Sequence, residues 1–170
     1  MNARRILIDL AGRPRDAAEA LRIALTPGLL NDHPHHDNSI AWLLWHAARE
    51  IDEQLAALAG TEPLWTAQGF DRRFDLGIDA HEMGYGHTPE QARAIEVEDP
   101  DLLLAHLSAV VDAQIAYIET LDADALDEIV DDQWDPPVTR ASRLVSISVD
   151  AAEHVAQAAY ITGMRAEAFE

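Results

Sequence analysis

The chain of 170 residues contains neither cysteine nor lysine. Without cysteine it has no disulfide, no thiolate metal ligand and no cysteine nucleophile of its own. All 12 basic residues are arginines, set against 31 acidic residues, and the formal net charge is −19. Such an acidic protein repels phosphate backbones and anionic lipid surfaces, so we expect neither a nucleic-acid partner nor a membrane partner.

Long hydrophobic runs are absent as well. Asp9 interrupts the apolar start of the chain within a few residues, which does not fit a signal peptide. No run reaches the ~18 apolar residues that a membrane span requires. These features predict a soluble, cytoplasmic protein. The length fits one domain over residues 1–170, with 48% hydrophobic residues to fill its core.

Helical patterns dominate the sequence, which predicts an all-α fold. The best strand candidate, Leu144–Val149, lies inside a longer helical pattern. Four long helices are predicted, and they span Pro14–Thr26, Asn38 or Ser39 to Gly60, Pro100–Leu121 and Thr139–Arg165. A short acidic helix at Asp122–Val130 is predicted to follow the third of them. A long crossover, Thr61–Glu98, separates helices two and three, which favours a four-helix bundle. A structureless crossover of this length is usually functional.

The last helix carries the strongest candidate site. From Leu144 to Ala159 it is apolar on almost every face, which is typical of a buried helix, yet Asp150 and His154 lie in its middle. These two residues are one turn apart and project from the same face. Burying them costs several kcal/mol unless they are paired or bind a metal. Two interpretations therefore stay open: a buried ion pair or hydrogen bond, and a pair of metal ligands.

A third ligand would come from the second helix. His46 borders the apolar stripe of that helix, and Glu50 lies one turn further along. A carboxylate in that position can orient the ring of a metal-bound histidine. Together, His46, Asp150 and His154 would leave one position open for water or substrate, as catalytic zinc sites do.

Other candidates are less specific. Gln157, Arg49 and Asp52 are weaker candidates for contacts with the ligands or a substrate, and an ion pair between packed helices is the alternative for the last two. The segment His33–His36 is expected to be a solvated loop, or else an adventitious metal site. The glycine-rich segment His81–His87 is either an ordinary turn-rich loop or a lid that contacts substrate.

The remaining aromatic and acidic residues suggest packing and solvation. His106 is interpreted as a packed or surface residue, and the four tryptophans are expected to lie mainly in the core. The acidic run Asp122–Asp132 is expected to be solvated.

Several segments resemble the DinB-like superfamily. The second-helix sequence NSIAWLLWHAAREID at 38–52 is similar to a segment of that superfamily. The sequences VDDQWDPPV at 130–138 and RLVS at 143–146 resemble its mycothiol-transferase-like branch. The sequence HVAQAAYITG at 154–163 is similar to the family's histidine segment on the last helix. The resemblance covers residues 15 to 166.

This resemblance implies a four-helix bundle of up-down-down-up topology. It implies a divalent metal, zinc or nickel, bound by one histidine of helix two and two residues four apart on the last helix. Those positions are His46, Asp150 and His154 in this sequence. Many relatives have His in place of Asp150, and mycothiol-dependent maleylpyruvate isomerase has a carboxylate there.

The implied activity is thiol-dependent transfer or isomerisation. The metal would bind the thiol of a small cofactor such as mycothiol, and the thiolate would attack a small electrophile. Two alternatives remain: a metal-binding or stress-associated bundle without catalysis, and an oligomeric helical protein with a buried Asp–His pair. Relatives often form dimers, so the resemblance is compatible with a homodimer, although the sequence itself does not determine the oligomeric state.

Overall fold

A computed structural model describes residues 3–164 and 166–169, and they are mostly helical. Within them the four long helices are α1 (Ala3–Leu21), α3 (Ile40–Ala59), α7 (Pro100–Thr120) and α9 (Arg140–Thr162). The short elements are α2 (Pro27–Asn31), α4 (Leu64–Ala67), α5 (Phe70–Phe74), α6 (Pro89–Arg93), α8 (Ala123–Asp127), an antiparallel ribbon of β1 (Ile129–Asp131) and β2 (Val138–Thr139), and a 3-10 turn at Ala166–Phe169.

Helix α3 begins and ends where the sequence predicts. The hydroxyl of Ser39 accepts a hydrogen bond from the amide of Trp42 at 3.1 Å, which caps the first turn. Gly60 ends the helix in the left-handed region, at φ 67°, and its amide donates to the carbonyl of Ala56. The helix is buried along most of its length, so it fixes the position of every polar side chain that it carries.

The four long helices enclose the core. Both α1 and α3 pack against α7 and α9, so each long helix contacts two others. Early residues of α3 lie beside late residues of α9: a surface cleft joins Leu43 to Gln157, and a second cleft joins Gln54 to Arg143. The mostly helical prediction is confirmed, although the ribbon formed by β1 and β2 was not predicted.

Helix α1 starts earlier than predicted, at Ala3, and Pro14 lies inside it. Leu7, Ala11, Pro14 and Ala18 are all buried and recur at three- and four-residue steps, so one apolar stripe continues through the proline. The predicted bounds of this helix, Pro14–Thr26, were therefore wrong. The helix ends at Leu21, and Pro27 instead begins the short helix α2.

Other boundaries also differ from the prediction. The crossover between α3 and α7 contains α4, α5 and α6, and is therefore not structureless. The predicted acidic helix shortens to α8 because the chain then enters β1. Helix α9 ends at Thr162, and the predicted end at Arg165 lies outside the described residues.

Two predicted burial patterns are wrong. Helix α9 is not buried all round, since Val145 and Val149 are each 40% exposed. Alanine and valine supply several residues of its outer face, so composition alone did not mark that face as solvent-exposed. Trp134 is 66% exposed in the turn between β1 and β2, whereas the other three tryptophans are buried.

Helix α7 is long and apolar enough to span a membrane, by length and composition alone. Half of its apolar window is buried, and the helix packs against α1 and α3. The core helix of a soluble protein has the same composition. The hydrophobicity of α7 is thus accounted for by the protein core.

His106 of α7 is completely buried, among the rings of Trp65 and Phe70. Burial lowers the pKa of His106 below its ordinary value of 6.5, although the carboxylate of Asp52, 3.6 Å from Nε2, opposes this shift. The folded protein therefore holds this ring neutral.

We predict that His106 makes the folded state sensitive to mild acid. Because its folded pKa lies below its unfolded pKa, its contribution to stability is complete above the unfolded value and is lost as the pH falls. Denaturant unfolding of the wild type and His106→Leu at about pH 7.5 and about pH 5.5 checks this. The variant should lose less free energy of unfolding on acidification than the wild type. The control is His81→Gln, at an exposed position, which should lose as much free energy of unfolding on acidification as the wild type. An equal loss of that free energy in the His106 and His81 variants would contradict the prediction.

Candidate metal centre

Helix α9 presents Asp150 and His154 one turn apart. The Oδ2 atom of Asp150 lies 3.6 Å from Nε2 of His154, and their side chains are 39% and 17% exposed. This separation is longer than a hydrogen bond. Asp150 Oδ2 and His154 Nδ1 are buried atoms without a hydrogen-bond partner among the described residues. Buried polar atoms are nearly always paired, so these two point to a ligand.

Helix α3 supplies two further groups opposite them. The rings of His46 and His154 lie 4.5 Å apart, centre to centre. Glu50, one turn after His46, brings a carboxylate oxygen to 3.7 Å from His46 Nε2. His46, Glu50, Asp150 and His154 each offer one donor atom, and these four atoms all lie within 4.8 Å of one another. We call these four residues the His–carboxylate cluster.

The cluster fits a divalent metal ion. Donor atoms that share one tetrahedral zinc ion at ~2.1 Å lie ~3.4 Å apart, so separations of up to 4.8 Å in the cluster would shorten by up to about 1.4 Å on metal binding. Two imidazoles and two carboxylates are a donor set that zinc and other first-row divalent ions accept. Among residues 3–164 and 166–169, this is the one group of three or more such side chains with donor atoms this close.

The ring of His46 is fixed from behind. Its Nδ1–H donates a short hydrogen bond to the backbone carbonyl of Met83, which leaves Nε2 facing the cluster. Burial lowers the pKa of His46 from 6.5 to about 4, only partly offset by this hydrogen bond. A neutral ring with a free Nε2 is the form that binds metal. Glu50 was predicted to orient this ring; Met83 does so instead, and Glu50 lies on the donor side.

Arg49 holds the segment that carries Met83. Its side chain is completely buried, and it donates to the backbone carbonyls of Ala80, at 2.8 Å, and Glu82, at 3.0 Å. Asp52 and Glu53 neutralise the guanidinium at 3.2 and 2.5 Å. A buried cation needs such partners, since leaving it unpaired costs about 3–5 kcal/mol. Arg49 thereby ties the crossover to α3 directly before Met83.

The same segment is held at its other end by Glu82 and His87. One oxygen of Glu82 accepts from the amides of Met83 and Gly84, at 3.0 and 2.9 Å, and lies 3.3 Å from His87 Nε2. His87 Nδ1 accepts from the indole N–H of Trp42 at 3.1 Å. The segment 80–87 is therefore a turn-rich loop that hydrogen bonds tie to α3 on both sides of Gly84.

Gly84 permits the close approach of this segment. Its φ is +93°, and a Cβ at this position would lie 2.9 Å from His46 Nδ1 and 3.0 Å from the ring of Trp45. Gly86 also has a positive φ, +71°, but a Cβ there would meet nothing within 4 Å. The two glycines thus differ in crowding while sharing a left-handed backbone.

The weaker candidates occupy different places. Asp52 faces away from the cluster and accepts from the amides of Leu64 and Trp65, both at 2.7 Å, so it caps α4. Gln157 lines a surface cleft beside the cluster, which His36 also lines. Met83, Glu82 and Gly84 were not identified as supports of the site, because a backbone carbonyl leaves no side-chain signal. The sequence HEMGYGH, rich in glycine, was the available indication.

Comparison with known proteins identifies the family. The family model described as DinB superfamily matches residues 12–158. The chain belongs to the DinB superfamily. A solved structure titled "Crystal structure of the conserved protein of locus from Enterococcus faecalis" is similar along almost the whole length, with 33% identity, coverage of 95% of this chain and 96% of that chain, and a TM-score of 0.88. No curated protein matches this DinB member.

We predict that Gly84→Ala impairs metal binding in this DinB protein. The added Cβ would push Met83 or the His46 ring away, which displaces a donor atom of the cluster. Zinc affinity, measured by competition with a chromophoric chelator, should fall by about tenfold or more, as it does when groups behind metal ligands are changed.

The matched control is Gly86→Ala, which carries the same strain of about 1–2 kcal/mol at positive φ but no clash. Its zinc affinity should stay within about twofold of wild type, since nothing near the cluster moves. Equal losses of zinc affinity in the two variants would mean that backbone strain alone is responsible, and would refute the role assigned to Gly84.

Proposed function

We propose that this protein is a divalent-metal-dependent enzyme that transfers or isomerises small electrophiles with the help of a low-molecular-weight thiol. His46, Asp150 and His154 would be the metal ligands, and the metal zinc or nickel. One observation carries the proposal: two buried donor atoms, on Asp150 and His154, lack partners and face a neutral His46. Membership of the DinB superfamily supports it.

A metal held there would supply Lewis acidity, which lowers the pKa of a bound thiol and yields a nucleophilic thiolate near neutral pH. The chain's own residues do the rest. Met83 keeps the His46 proton on Nδ1, so that Nε2 stays available. Arg49 and Glu82 hold Met83 in place through the segment 80–87. Trp42 stacks on His46 at 4.4 Å between ring centres and limits the access of water from that side.

Further features belong to the same proposal. The four long helices would follow the up-down-down-up topology, and the chain would belong to the mycothiol-transferase-like branch, which the segments at 130–138 and 143–146 resemble. The partners would be a thiol such as mycothiol and an electrophilic small molecule, with no nucleic acid and no membrane. We propose a soluble cytoplasmic protein that assembles as a homodimer.

A second candidate function is metal binding without catalysis. The position of Glu50 favours it, because its carboxylate lies within reach of the same ion as the three proposed ligands. Four protein ligands close a tetrahedral sphere, which is the pattern of structural zinc, whereas three leave a position for substrate. The two functions therefore differ in whether Glu50 occupies the fourth position.

We predict that His154→Ala abolishes stoichiometric metal binding while His36→Ala retains it. The first variant removes a donor from the cluster, and the second removes a histidine from the loop before α3. Metal content per chain, measured by mass spectrometry on untagged protein after zinc or nickel is supplied, should be about one ion in the wild type. Asp150→Glu should retain the ion, since the carboxylate is preserved. Equal metal content in the His154 and His36 variants would exclude the ligand assignment.

We also predict that the cobalt(II) form binds an added thiol directly. An open position would produce a thiolate-to-cobalt charge-transfer band on titration with a simple thiol such as 2-mercaptoethanol. A band in the wild type supports catalysis, and turnover of an electrophile with the thiol would follow. A band that appears only in Glu50→Gln would show that Glu50 closes the site and would favour the non-catalytic function. Glu119→Gln is the control, because Glu119 is an exposed carboxylate near the end of α7, outside the cluster and outside the partners of Arg49.

A further inference from the structure

A surface cleft of about 560 Å³ lies next to the His–carboxylate cluster. It is bounded by the loop before α3, the first turns of α3 and the last turns of α9. Leu43, on its wall, precedes His46 by one helical turn, and Gln157 follows His154 by one turn. The cleft is therefore about one turn, roughly 5 Å, from two of the proposed ligands. Its volume is in the range of small-molecule sites.

The wall of the cleft is mainly apolar. Leu43, Ala156, Ile161 and Met164 form its floor and sides. Uncharged polar groups occur at the rim, on Asn38, Gln157 and Tyr160. Such a lining binds a hydrocarbon or aromatic body and offers a few hydrogen bonds to orient it.

The charges around the cleft disfavour anions. Glu153 is the one carboxylate on its wall, His36 is the one basic side chain there, and no arginine of the described residues lines it. Arg49, which precedes Glu50 in α3, is buried and paired with two carboxylates. The two carboxylates of the cluster would offset both charges of a divalent ion, so the metal would bring no net positive charge. An anion entering the cleft would lose hydration and would find no arginine to pair with among the described residues of its wall.

We propose that this cleft is the binding site for the electrophile and that it selects an uncharged molecule with an apolar body over a carboxylate. This inference rests on the proposed function for the identity of the bound molecule as a substrate. Lining chemistry and charge support it. It narrows the substrate class to neutral electrophiles, such as uncharged aromatic or alkyl compounds, and sets aside dicarboxylates.

The test compares two probes that share one ring system, 2-naphthalenemethanol and 2-naphthoate. Binding is measured by isothermal titration calorimetry at about pH 8, where the carboxylate is ionised and histidines are neutral. Both the zinc-loaded and the chelator-treated protein are titrated, because a carboxylate can ligate a metal directly. The alcohol should bind at least about tenfold more tightly than the carboxylate in both forms.

Two alanines of α9 provide a matched pair of variants. Ala156 lies in the cleft, whereas Ala159 is exposed on the same helix outside it. Ala156→Phe fills the cleft and should weaken binding of the alcohol by about tenfold or more, while Ala159→Phe should change it by less than about twofold. Both variants should keep the wild-type metal content, which also verifies that they fold.

The outcomes separate this inference from the proposed function. Equal affinity for the two probes, or an alcohol affinity that Ala156→Phe leaves unchanged, overturns the proposed selectivity even if the cluster binds metal. If the wild-type protein binds no metal but still prefers the alcohol, the selectivity of the cleft is supported and the metal-dependent function is contradicted.

Discussion

A buried positive charge organises this protein. The guanidinium of Arg49 is fully removed from water, and its donors are satisfied by Asp52, Glu53 and two carbonyls of the crossover. Asp52 in turn binds the first amides of α4. Because each partner of a buried charge is costly to remove, the crossover has one favourable position on α3. The position of the segment 80–87, behind the candidate metal centre, depends on Arg49 keeping these partners.

The chemistry of the cluster follows from the same constraint. The carbonyl of Met83 reaches His46 only because the segment 80–87 lies flat on α3, with a glycine where a side chain would collide. The ring is then neutral and directed toward Asp150 and His154. A polar cluster thus sits between packed helices without a protein hydrogen bond for every atom, an arrangement more typical of ligand sites than of cores.

The sequence predicted the parts of the site that depend on helical spacing. Asp150 and His154 share a face because they are four residues apart, and the cap residues Ser39 and Gly60 fixed the frame of His46. Other features depend on tertiary contacts that periodicity does not encode. Pro14 is tolerated inside α1 because its apolar stripe is buried on both sides, and Met83 acts through its backbone. The sequence showed that Glu50 is a neighbour of His46. It did not give the distance from Glu50 to the donor atoms of Asp150 and His154, because that distance depends on how α9 packs against α3.

The cluster consists of two pairs of side chains on two helices that are far apart in sequence, α3 in the first half of the chain and α9 in the second. An ion bound by both pairs would act as a cross-link between these two helices, in addition to their apolar packing and the hydrogen bonds that Arg140 and Arg143 donate to α3. Such a cross-link stabilises the folded state in proportion to the logarithm of the free ion concentration, by about 2.7 kcal/mol at about a hundredfold excess over Kd. The lifetime of the folded protein in a cell would then follow the supply of metal.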